Sequence, residues 1–248
     1  MDSLTVARSL RGSIGMLAMD WLMAPSTLEA AAAAGLPSGL PAYAMGRFGG
    51  LGECPVDVVV AAAHFWEPGL LRETVIAGRA GATPAEGAAV YAGICQEWGD
   101  ARLAGFDGSD RLGELCELVV ASASPLGAPS FVAWRDQPLP SIGPARTFQL
   151  CQTMRELRFG RHCVAVMASG LSPLEAILSG PAGEWNAEMF GWPRPYPDVT
   201  GLAEAREEAE ALTDRLHAPD LDVLDDGERA ELRELAKAAR GHASAAAG

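Results

Sequence analysis

Lysine is nearly missing from this chain. Among 248 residues only Lys237 carries an ammonium side chain, and arginine supplies every other fixed positive charge. Schiff-base chemistry at a pocket lysine therefore has no natural candidate. Aromatic residues make up only 6% of the sequence, and alanine and glycine take up much of the remainder, so helices can approach closely. The five cysteines (Cys54, Cys95, Cys116, Cys151, Cys163) are odd in number and widely scattered, with no Cys-x-x-Cys pair. That pattern excludes a disulfide framework and zinc-finger spacing, and it reads as reduced thiols buried as small apolar groups. No metal and no cofactor is expected.

Positive charge is short as a whole: 19 basic against 32 acidic side chains leave a formal net charge of -13. Phosphate backbones bind proteins largely through counterion release, so this field opposes nucleic acid unless a basic patch is segregated. It disfavours an anionic membrane surface for the same reason. Long apolar runs are also lacking, since no window reaches 18 uninterrupted apolar residues. The first twenty residues show no apolar stretch ending in a cleavage site. The expectation is a cytoplasmic protein with no membrane contact and no nucleic-acid partner.

Helical periodicity dominates the remaining pattern. Thr83-Pro84-Ala85-Glu86 is a helix entry with a cap, a first-position proline and a third-position glutamate. The spacing predicts helices over 13–23, 56–66, 84–102, 109–122, 201–217 and 226–240, after an adaptable leader at 1–12. Residues 36–55, with three prolines and five glycines, predict a loop, and 241–248 a disordered tail. The fold class is all-α: a single helical protein over 1–248 with degenerate helix-turn-helix or winged-helix-like units. Pro25-Ser26-Thr27-Leu28-Glu29-Ala30 and Ser172-Pro173-Leu174-Glu175-Ala176 echo one another. Two pseudo-repeat halves, about 13–122 and 143–240, account for that echo; chance similarity in an alanine-rich chain is the alternative.

The stretch from Thr147 to Leu178 organises the chain. It reads as a helix ending near Arg158, a break at Gly160, a second helix to Ser169, a turn at Gly170 and a third helix opened by Ser172-Pro173. The helix after Gly170 carries no basic residue and one glutamate, Glu175, which argues against duplex reading.

Several segments together resemble the actinobacterial SalK-type helix-turn-helix family. They are Gly46-Arg47 with Leu51-Gly52 and the VVVAAAHFWEP run, then MRELRFGRHCVAVMASGLSPLEAIL, then GLAEAREEAEALTDRL. The resemblance covers about residues 14–240 and implies a mostly helical architecture of winged-helix ancestry. The chain departs from the pattern at Gly50, His64, Phe65, Leu157 and Arg161. Between Trp192 and Gly201 only PRPYPDVT stands where relatives carry a further helix and a wing-like segment.

The candidate site residues come from two segments. Arg47 and Arg158 are read as anion anchors, with Arg155 beside them. Met154 and Trp66 form apolar lining, and His64 and His162 are acid/base or hydrogen-bonding groups. The competing reading makes these structural: histidines bonded inside the core, and arginines paired to Glu156 or to the acidic C-terminal helices. The acidic run from Glu204 to Glu234 reads as a solvated face. The function this favours is a small-molecule-binding protein, as a biosynthetic enzyme of specialised metabolism, with a ligand polar or anionic at one end and apolar in its body. A ligand-responsive transcriptional regulator of helix-turn-helix type is the alternative, and an acidic protein-interaction partner the third reading. Association as a homodimer stays open.

Overall fold

Pro25, Pro68, Pro84, Pro129 and Pro173 each stand at the first position of a helix, where a missing N–H costs nothing. Thr83 with Glu86 and Ser172 with Glu175 complete reciprocal capping boxes that satisfy orphan N–H groups at those entries. The computed structural model describes residues 1–246. Its helices are α1 (Ser3–Gly12), α2 (Ile14–Leu17), α3 (Pro25–Ala33), α4 (Leu40–Phe48), α5 (Val56–Ala63), α6 (Pro68–Gly81) and α7 (Pro84–Arg102). They continue as α8 (Ser109–Ser122), α9 (Pro129–Arg135), α10 (Gly143–Ala168), α11 (Pro173–Leu178), α12 (Gly183–Met189), α13 (Ala203–His217) and α14 (Asp226–Ala246). No strand occurs among the described residues, so the fold is all-α. Nor is any helix among them long and apolar enough to cross a membrane.

The 26-residue α10 is the central post, roughly 39 Å long at 1.5 Å per residue. It packs against α7, α8, α9 and α13, which leaves little of it to solvent. Phe148, Leu150, Cys151, Met154 and Leu157 are buried along it, and so are Gln149, Gln152 and Glu156. Those polar side chains are satisfied in series. The Trp21 indole N–H donates to Gln152 Oε1 at 3.2 Å, and Gln152 Nε2 donates to Glu156 Oε1 at 2.9 Å. Gln96 Nε2 donates to Gln149 Oε1 at 2.9 Å. A buried polar row this complete fixes the register of α10 at the cost of desolvation that its hydrogen bonds offset.

Five expectations are corrected here. Residues 36–55 are not simply a loop: α4 forms within them, and every residue from Ala42 to Phe48 is buried. Its glycine content reflects close packing. A Cβ on Gly46 would lie 2.0 Å from the ring of the fully buried Tyr91. Gly160 does not break a helix, because α10 runs through it. A Cβ there would lie 2.5 Å from the Ala128 Cβ, so glycine serves the approach of the segment before α9 to the central post. The adaptable leader is instead α1, capped by Asp2 and burying Val6, Ala7 and Leu10 against α13 and α14. Finally, the tail expected to be disordered continues α14 to Ala246, while residues 247–248 lie outside the described residues. The helix expected over 13–23 also stops short, at Leu17.

Candidate functional site

Where α10 passes α4, it carries Glu156 against Arg47. The Arg47 Nε and Nη2 donate to the two Glu156 carboxylate oxygens at 3.1 and 2.8 Å, and Nη1 donates to the Tyr43 hydroxyl at 2.6 Å. Aromatic rings close over the guanidinium, with Cζ 4.5 Å from the Phe159 centroid and 5.0 Å from that of Phe48. Arg155 Nη1 adds a third charged donor to Glu156 at 2.7 Å. Two guanidiniums thus share one buried carboxylate. Burial works to raise the Glu156 carboxyl, but Arg47 and Arg155 outweigh it and hold it below the ordinary carboxylate value. Burial also pushes Arg155 below the usual guanidinium value; Glu156 opposes that shift, and the neighbouring charge of Arg47 reinforces it.

Within the next two turns of α10, Arg158 and His162 face α13. Arg158 Nη2 reaches Glu210 at 3.4 Å and Asp214 at 3.2 Å. Arg206 and Arg11 converge on the same Glu210 at 2.8 and 3.1 Å. His162 Nδ1 lies 2.9 Å from the Thr213 hydroxyl, which itself donates to the Ala209 carbonyl at 2.7 Å. The hydroxyl hydrogen being used, His162 Nδ1 is the donor of that bond and Nε2 carries the lone pair. Burial lowers the His162 pKa to about 4 despite Glu210, and Arg158, Arg206 and Arg11 push the same way, so the ring is neutral at pH 7.

These groups surround a cavity of about 570 Å³, walled by α1, α2, α4, α10, α12, α13 and the segment between α5 and α6. Of the residues singled out in the sequence, Arg47, Trp66, Met154, Arg155, Arg158 and His162 all line it. His64 does not. It ends α5 with φ of 52°, packs edge-on to Phe65 at 4.7 Å, and its buried Nε2 has no hydrogen-bond partner. Phe65 also packs on His162 at 5.6 Å, so an aromatic ring touches both histidines. Burial lowers the His64 pKa as well.

Sequence reasoning missed Arg11 and Arg206, which also line the cavity. Arg11 stood in the supposed leader, and Arg206 in a run dominated by glutamate. The solvated-face reading of that run is corrected for Glu210 and Asp214, whose side chains are only 17% and 14% exposed and serve as counterions to the arginines. Phe159 and Trp185 went unnoticed for want of any local pattern. The available signal was helical spacing: Arg155, Arg158, Phe159 and His162 fall at successive three- and four-residue steps of one helix face. Among the described residues, no cluster of three or more His, Cys, Asp or Glu has a metal-holding arrangement.

Beyond the cavity, the C-terminal end of α10 leads through a tight turn at Gly170 into α11 and then α12. This is a helix-turn-helix succession. The second helix of the unit, α12, exposes Glu184, Trp185 and Glu188, and it contributes Trp185 and Asn186 to the cavity wall. The chain beyond is fastened to the segment after α5: Glu67 N–H donates to the Phe190 carbonyl at 2.9 Å, and the Trp192 indole donates to the Phe65 carbonyl at 2.8 Å.

A family model described as a helix-turn-helix family matches residues 7–248. No curated protein and no solved structure matches this chain. The family match overturns two expectations raised by composition: that the chain is a small-molecule-binding biosynthetic enzyme, and that it has no nucleic-acid partner. Net charge is a whole-molecule quantity that sets long-range steering, and it does not decide what a short exposed helix contacts.

Proposed function

Since this chain belongs to that helix-turn-helix family, we propose that it is a ligand-responsive transcriptional regulator that binds duplex DNA in the cytoplasm. The family match over nearly the whole length carries the reading. Its motifs resemble the SalK-type branch, and we assign it there.

The two helical pairs that begin with the Leu-Glu-Ala echo have different fates. In the first, α3 leads into α4, which is buried from Ala42 to Phe48 and has no face for a groove. In the second, α11 leads into α12, which exposes a face. The C-terminal unit is therefore the one we assign to DNA. Asn186 on α12 has the donor and acceptor pair suited to an adenine edge, and Glu184 and Glu188 suit the amino group of cytosine. Arg194, 59% exposed and 2.7 Å from Glu184, is a cation available for a backbone phosphate. Because α12 also walls the cavity, a molecule seated there touches the reading helix directly. That shared wall supports ligand response.

The test is selection of duplexes from a randomised pool with the full-length protein, followed by gel shift across a salt series. Sequence-selective, sub-micromolar binding is expected. With so few cations near α12, the salt dependence should be shallow, about 0.9 in log–log slope per phosphate neutralised. Failure to enrich any sequence would sink the regulator reading.

A further inference from the structure

Five arginines line the cavity (Arg11, Arg47, Arg155, Arg158 and Arg206), and among the described residues no aspartate or glutamate does. The carboxylates that pair with them, Glu156, Glu210 and Asp214, stand behind the wall. Five guanidiniums against three carboxylates leave an excess of positive charge facing the cavity, in a chain whose overall charge is -13. Two lining residues also carry a buried nitrogen without a hydrogen-bond partner: the indole nitrogen of Trp66 and Nε of Arg158. Both are donors only, so what completes them must be an acceptor.

The rest of the wall is aromatic and thioether. Phe65, Phe159 and Trp66 lie deep, while Met16, Met19 and Trp185 stand at the mouth with 40%, 46% and 67% of their surface exposed. Exposed large apolar side chains gathered at one opening mark a place where an apolar body leaves the cavity.

We propose that the cavity binds an organic anion with a flat apolar body, the anionic group seated against Arg155 and Arg158 and the body running out between α2 and α12. The proposal rests on the cavity being the effector site of the regulator. It adds the chemical class of the effector, which is bound and released unchanged. Arg155 is the principal anchor. Arg47 spends its donors on Glu156 and Tyr43, whereas only Nη1 of Arg155 is engaged in a hydrogen bond.

The test uses two fluorescent probes of nearly the same shape on the full-length protein: 8-anilinonaphthalene-1-sulfonate and its uncharged parent, N-phenyl-1-naphthylamine. One equivalent of the sulfonate is expected to bind at least 10-fold more tightly than the neutral probe. Arg155→Gln should remove that preference while leaving the neutral probe's affinity unchanged. Trp66→Phe, which keeps the ring and deletes the N–H, should weaken the sulfonate several-fold. Octanoate and octyl phosphate, titrated as competitors, then identify the head group, since the better displacer is the better match. Equal affinity for the two probes, no displacement by either competitor, or an Arg155→Gln protein that retains the preference would overturn the proposal. DNA binding, measured without probe, is a separate readout. Probe binding as expected in a protein that enriches no duplex would leave this inference standing and remove only the regulator reading.

Discussion

Neutralising Glu156 should damage this protein far more than removing the arginine beside it. Glu156 is fully buried and accepts from Arg47, Arg155 and Gln152. Glu156→Gln preserves shape but leaves Arg47, 5% exposed and enclosed by Phe48 and Phe159, without a counterion. Breaking a buried pair from one side costs about 3–5 kcal/mol, because the remaining charge has lost its solvent as well as its partner. For a chain of this length that corresponds to a fall in Tm on the order of 10 °C. Arg155→Met does the opposite: it removes the surplus cation, leaves the two-point Arg47–Glu156 contact intact and keeps apolar volume. Its cost should stay below about 1 kcal/mol. Urea titration followed by far-UV circular dichroism measures both. If Arg155→Met proved as costly as Glu156→Gln, or if Glu156→Gln lost less than about 1 kcal/mol, the description of Glu156 as the hub of an overcharged cluster would be refuted.

Three further outcomes are expected. The His162 pKa is lower folded, about 4, than its ordinary 6.5, so its share of stability is complete above pH 6.5 and disappears as pH falls towards 4. The loss amounts to about 3 kcal/mol, at about 1.36 kcal/mol per pH unit. Denaturation midpoints taken between pH 7 and pH 4 should show it, with a gentler slope in His162→Gln; burial pushes His64 and His217 the same way, so some slope persists. Gly160→Ala should destabilise by about 1–3 kcal/mol, because the clash with Ala128 outweighs a helix-propensity gain of about 1 kcal/mol. A more stable Gly160→Ala protein would refute the close approach of Ala128 to the central post. Gly46→Ala, whose Cβ meets the buried Tyr91 ring, should cost more than about 2 kcal/mol in the same assay.

Helix entries were the most readable feature of the sequence, because caps and prolines act within four residues of one another. Thr83-Pro84-Ala85-Glu86 and Ser172-Pro173 both open helices where expected. Glycine was the weak point. Its signal is ambiguous between a turn and a close approach, and only the partner decides: Tyr91 lies 45 residues from Gly46, and Ala128 lies 32 residues before Gly160. The candidate site was readable on the α10 side, where spacing along one helix groups Arg155, Arg158 and His162. The contributions of α1, α12 and α13 were not, since nothing local in Arg11, Trp185 or Arg206 says what faces them. Function was misjudged from bulk charge, which averages over the surface that matters.

The burial of α1 has a consequence for how the protein is made. Val6, Ala7 and Leu10 pack against α13 and α14, Arg11 meets Glu210, and the Arg229 side chain donates to the Met1 carbonyl at 2.8 Å. About two hundred residues separate these partners along the chain, and a ribosome adding 5–20 residues per second needs roughly 10–40 s to supply them. Through that interval α1 has its apolar stripe uncovered and no surface to settle on. One wall of the cavity is therefore set in place only after α13 and α14 have been made, which makes the nascent chain, rather than the folded protein, the form most in need of a chaperone.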